Sequence, residues 1–187
     1  HGRQACTLPV HPRLAHAVLR AAQEGHSGAA CATAAVLSER DTTRVAATVD
    51  LHERVRRIDG RAARQARRLA ELVGIDPSEP DASRDDVAGI GLTVALAFPE
   101  RLARRRGSGA RYLLAGGTGA QLDPHDPLAR SEWIAIAALD LAPTGGDARV
   151  LLAAALDAGD VSVAFGDRPV CRCHLPATAY RVVRQKV

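Results

Sequence analysis

Gly107 separates two kinds of sequence. Before it, apolar residues recur every three or four positions. After it, short apolar runs alternate with Gly, Asp and Pro. The first pattern belongs to helices that bury one face, the second to strands joined by turns. Helices first and strands second give an α+β protein, not an alternating α/β one. The expected fold is a helical bundle over residues 1–106 followed by a small β domain over residues 107–187.

The helical half reads as a series of elements. LPVHPRLAHAVLRAAQEG carries Pro12 where a first-turn proline is tolerated, then Leu14, Val18 and Ala22 a turn apart, with a stop at Gly25. GAACATAAVLSER is a helix of small residues, which lets a neighbour approach closely. LHERVRRI places Leu51, Val55 and Ile58 on one face. GRAARQARRLAELVG turns Ala62, Ala66, Leu69 and Val73 inward and meets Gly74 at its end. IDPSEPDASRDD is a loop with two prolines and five acids. DVAGIGLTVALAFPERLARRR is a strongly apolar helix that meets Pro99, where it kinks or starts a new turn.

In the second half RYLLAGGTGAQL, WIAIAALDL, SVAFGD and AYRVVRQKV read as strands, with DPHDP and APTGGD as turns. ARVLLAAALD suits a strand or a helix. With aromatics at only 3% and hydrophobic residues at 47%, the core must be built from Ala, Leu and Val.

The chemistry motifs exclude more than they assign. GGTG, at 116–119, is no phosphate cradle of the Walker type. That loop needs a lysine beside its last glycine, and Lys186 is the only lysine among 25 basic residues. Nor does it complete GxGxxG, since position 122 is Leu. A turn that needs positive φ is the better reading. Cys171, Cys173 and His174 offer zinc ligands without the CxxC spacing of structural sites, and Cys6 and Cys31 stand alone, so inward-facing strand cysteines are expected and no metal. His11, His16 and His26 have no nucleophile and orienting group placed with them.

The arginines carry the remaining signal. The net charge of +4 and a pI near 9.2 suit an anionic partner. Arg101, Arg104, Arg105 and Arg106 close a helix, where the dipole favours them, and Arg111 opens the next strand. The functional reading of this cluster is a phosphate-contacting patch at the domain junction. A second cluster, Arg54, Arg56, Arg57, Arg61, Arg64, Arg67 and Arg68, winds around two helices and reads first as solvated surface.

Taken in order, the motifs resemble a known family. GRQACTLPVHPRLAHAVL is similar to the opening of the helicase-associated region of HrpB-type DEAH-box ATP-dependent helicases. The likeness runs on through AAVLSERD, LTVALAFPERLARRR, RYLLAGGTGAQL, DPLARSEWIAIAALDL and VLLAAALD. It covers nearly the whole chain in one order. Gly116 and Thr118 depart from the Asn and Arg expected in the turn, and CRCHLPATAY has no counterpart in the family pattern.

The resemblance implies a ratchet-like helical bundle followed by an OB-like barrel, with GGTG as the turn of the barrel's first hairpin. It implies an accessory region that guides single-stranded RNA or DNA beside motor domains of the same polypeptide, which hold ATP and Mg; no cofactor is expected in this chain. The expected nucleic-acid-binding residues are Arg101, Arg104, Arg105, Arg106, Arg111 and Tyr112, with Trp133 a further stacking residue or a core one. The chain contains no Met and starts HGRQAC, which reads as a fragment. Four cysteines without a disulfide framework and the lack of a long apolar run suit a reducing cytoplasm. The rival reading is a protein-interaction scaffold that packs on the motor. An enzyme in its own right is third, since no acid, base, nucleophile or metal cluster converges.

Overall fold

The computed structural model describes residue 5 and residues 7–39, 48–75, 86–107, 109–140 and 146–165. Among the described residues the helices α1 (Pro12–Gln23), α2 (Ser27–Leu37), α3 (Leu51–Arg56), α4 (Gly60–Val73) and α5 (Val87–Ala97) precede the strands. Their starts are set by local chemistry. His11 accepts from the Arg13 amide ahead of Pro12, Asp50 from the His52 amide, and Asp86 from the Gly89 amide. α4 ends at Gly74, whose φ of +81° closes the last turn in the left-handed region.

Two of these helices are buried nearly all round. α2 hides Ser27 to Val36, and α5 hides Gly89 to Val94 with Ala95 and Ala97. α1 and α4 are amphipathic and cover them from outside. The sequence explains the layering: Ala and Gly leave α2 and α5 no polar face to present to water, so they go to the middle.

A 3-10 turn, Pro99–Arg101, then leads straight into β1 (Leu102–Arg105). β2 (Arg111–Leu114), β3 (Gly119–Gln121), β4 (Trp133–Asp140) and β5 (Ala148–Leu156) follow, with a second 3-10 turn at Pro127–Arg130. The strands close a barrel in the order β1-β2-β3-β5-β4, antiparallel except for the β3–β5 pair. This is an OB-like barrel, and the fold is α+β as expected. Its interior holds Ala103, Tyr112, Leu114, Ile134, Ile136 and Val150. The alternate residues Leu102, Ala135, Leu152, Ala154 and Leu156 belong to the helical core instead. Irregular pairing between Ile136 and Leu139 of β4 lets β5 change which face turns inward between Val150 and Ala153.

The structure corrects three expectations. LARR is a strand, not the end of a helix: α5 stops at Ala97, and Pro99 begins a new turn. The strands therefore begin before residue 107, and Leu102, Ala135 and Leu152 of the barrel pack into the helical core. SVAF lies in a helix, α6 (Ala158–Phe165), not a strand. Asp157 accepts from the Asp160 amide at 2.8 Å and Asp160 from the Asp157 amide at 3.3 Å, a reciprocal cap that starts a helix. GGTG is a hairpin turn, but it joins β2 to β3 and so forms the second hairpin. Gly117, at φ +88°, supplies its left-handed residue. ARVLLAAALD resolves as the strand β5. The CRCH segment and AYRVVRQKV lie outside the described residues.

Candidate nucleic-acid interface

The predicted arginines sit on and around β1. Pairing with β2 and β4 fixes the positions of Arg104 and Arg105. Arg101 lies 4.9 Å above the Phe98 ring and donates to the Ala137 carbonyl at 2.8 Å. Arg104 lies 5.3 Å above the Trp133 ring, its neighbour across β4, and gives Glu132 Oε1 two bonds of 3.0 and 2.8 Å. Its side chain is only 30% exposed. Stacking on a ring face leaves one side of each guanidinium covered.

Arg106 and Arg111 converge on one carboxylate. Asp147 takes Arg106 on Oδ1 at 2.5 Å and Arg111 Nε near Oδ2 at 3.3 Å. Asp147 is 14% exposed, while Arg111 is 61% exposed. Arg105 differs. It is exposed, reaches only the Ala129 carbonyl at 3.4 Å, and forms no ion pair with a described acid. Of the predicted arginines, it keeps the freest charge.

Tyr112 is not at the surface. Its ring is fully buried in the barrel, and its hydroxyl lies 3.0 Å from the Leu128 carbonyl and 2.9 Å from that of Ser131. Burial pushes the hydroxyl pKa up, against the pull of Arg105. A ring face enclosed in this way cannot stack a base, so the expected contact is withdrawn. The even spacing of apolar residues in RYLLA carried the signal, since it puts Tyr112 and Leu114 on one face. Trp133 is half-buried against the helical core under Arg104.

Beside the GGTG turn, Glu100, Arg101, Leu114, Gly116 and Thr118 line an open cavity of about 520 Å³. The turn is tied down, with the Gly116 amide donating to the Glu100 carbonyl and the Ala115 amide to that of Leu102. Arg13 of α1 reaches Glu100 at 2.6 Å, joining the bundle to this end of the barrel. Although burial opposes it, the Glu100 pKa is lowered by a backbone hydrogen bond and by Arg13.

The histidines are not gathered. His11 caps α1, His16 is exposed on it, and His26 pairs with Asp86. Among the described residues no three His, Cys, Asp or Glu side chains are placed to hold a metal ion, and no helix is long and apolar enough to cross a membrane.

No family model matches the chain. It is 33% identical over 156 residues to the ATP-dependent RNA helicase HrpB of Escherichia coli strain K12, across 83% of this chain and 18% of that protein. The crystal structure of the E. coli DExH-box NTPase HrpB resembles it with a TM-score of 0.71 at 30% identity, over 86% of this chain and 19% of that one. The chain is homologous to HrpB. A second HrpB crystal structure, of the Escherichia coli DEAH/RHA helicase, gives a TM-score of 0.68 at 28% identity, over 84% of this chain and 19% of that one. The chain thus spans under a fifth of the HrpB proteins it matches. The HrpB likeness covers helices and barrel alike, and it agrees with the helix-then-barrel order read from the sequence.

Proposed function

We propose that the chain is a nucleic-acid-binding accessory region of an ATP-dependent helicase, one that holds and guides single-stranded RNA beside motor domains carrying ATP and Mg. What carries this reading is the HrpB relationship, which extends over helices and barrel together at 33% identity. The barrel adds support. β1 carries Arg104 and Arg105, with Arg106 just past its end, and OB-type barrels grip single strands through cationic grooves. In this role the chain catalyses nothing itself: it supplies contacts to the phosphate backbone while the motor supplies the work.

One observation favours a second reading, a scaffold that packs on the motor with little strand contact. Arg101, Arg104, Arg106 and Arg111 are already engaged with carbonyls or carboxylates of the same chain.

Fluorescence anisotropy of a labelled single-stranded RNA, titrated with the chain at several salt concentrations, separates the two. The first reading expects an affinity whose logarithm falls linearly with log salt. Absence of binding at low salt would overturn it in favour of the scaffold.

A further inference from the structure

Away from the barrel, α4 carries arginines that its own stability disfavours. Its buried stripe is Ala62, Ala66 and Leu69. At 3.6 residues per turn, Arg61, Arg64, Arg67 and Arg68 fall within about a third of the helix circumference, opposite that stripe. All four are exposed. Arg61 lies in the first turn, where the positive end of the helix dipole repels a cation. Arg61 with Arg64, Arg64 with Arg67, and Arg64 with Arg68 are like charges three or four residues apart, the spacing at which they repel. Glu71, at the end of the same face, is the only acid among them.

These four arginines have no ion pair with any described residue. Elsewhere five exposed arginines do, Arg13 with Glu100, Arg56 and Arg57 with Glu53, and Arg106 and Arg111 with Asp147, while Arg105, Arg130 and Arg149 stand singly without a described acid and without a like charge a helical turn away. Fold stability does not call for unpaired cations in mutual repulsion. An anion bound across the face would relieve the repulsion, and a row of guanidinium groups along a helix matches a row of phosphates.

We propose that the outer face of α4, through Arg61, Arg64, Arg67 and Arg68, is the main phosphate-contacting surface of this chain for single-stranded nucleic acid. The proposal rests on the strand-binding reading above and relocates its principal contacts from the barrel rim to the bundle. The face has no aromatic group on which a base could stack, so the contacts it offers are those of guanidinium groups to the phosphate backbone.

The test is anisotropy of the 187-residue chain with a fluorescein-labelled oligouridine, in three forms: unaltered, R61Q/R64Q/R68Q, and R104Q/R105Q/R106Q. Glutamine keeps the helix propensity of arginine at exposed positions, and circular dichroism checks the fold. The expected result is that the α4 triple weakens binding by about tenfold or more at low salt and lowers the log–log salt slope by about 2, from a slope of roughly 0.7 per phosphate contact. The β1 triple is expected to have the smaller effect. If the unaltered chain binds and the α4 triple binds equally well with the same slope, this proposal is overturned while the strand-binding reading stands. If the unaltered chain does not bind even at low salt, both fall together.

Discussion

The Asp147 carboxylate occupies the space that a side chain on Gly119 would fill. A Cβ added to Gly119 would overlap Asp147 Oδ1 and come within 2.8 Å of the Arg106 guanidinium. A side chain at this place would have to displace the carboxylate that collects Arg106 and Arg111, which lies against the backbone of β3 beside β5. Gly119→Ala should destabilise the chain by about 1–3 kcal/mol, as overpacking does. Asp147→Ala should cost about 1 kcal/mol. Because each substitution removes part of the other's conflict, the double variant should lose less than the sum. A cycle measured by urea unfolding checks this, and strict additivity would count against the contact.

Tyr112 offers a prediction that separates packing from binding. Tyr112→Phe keeps the ring in the barrel and removes the hydroxyl that lies between the Leu128 and Ser131 carbonyls. The expected loss is about 1 kcal/mol of stability, with RNA affinity unchanged. A Phe variant that folds as stably as the parent but binds RNA more weakly would contradict the buried placement.

Gly91 sets helix propensity against packing. In an isolated helix, Gly→Ala stabilises by about 0.5–1 kcal/mol. In α5, a Cβ on Gly91 would overlap the Ala155 carbonyl of β5 and lie 3.0 Å from Leu156 Cγ. The substitution should therefore destabilise by about 1–3 kcal/mol. A gain in thermal midpoint for Gly91→Ala would mean that α5 and β5 are not so close.

Asp160 predicts a pH dependence. Burial raises its pKa, and the nearby carboxylates of Asp157 and Asp86 push the same way. The folded state thus binds a proton more readily than the unfolded one. The stability this contributes is fully present below the ordinary aspartate pKa and is lost as pH rises through the raised value. Asp160→Asn retains an acceptor for the Asp157 amide and avoids the cost of a half-buried charge. The variant should be more stable than the parent at neutral pH, and its advantage should fade as pH falls below the carboxylate range. Urea unfolding at a series of pH values reads the difference directly. An advantage that grows on acidification would refute the assignment.

Much of the fold was legible because its signals are local. Gly74 and Pro12 mark helix ends by their own backbone geometry, and the periodicities of α1 and α4 name their buried faces. The start of α6 was not legible, because the short apolar run SVAF suits a strand and only the Asp157–Asp160 cap shows it to be helical. β1 was not legible. After Pro99, ERLARRR consists of helix-forming residues, and only the ladders to β2 and β4, including the Arg105 amide bond to the Glu132 carbonyl at 2.8 Å, hold Leu102–Arg105 extended.

The candidate site divides along the same line. The sequence by itself determined that arginines cluster in two places, that no lysine serves a phosphate loop, and that helices precede strands. Only the tertiary structure decided which arginines remain available. Arg106 meets Asp147 across 41 residues, and Arg104 meets Glu132 across 28, whereas the arginines of α4 meet no described acid. Periodicity and turn chemistry act over a few residues and can be read along the chain. Charge pairing and close packing depend on distances in space, which are fixed only when the barrel closes and docks on the helices.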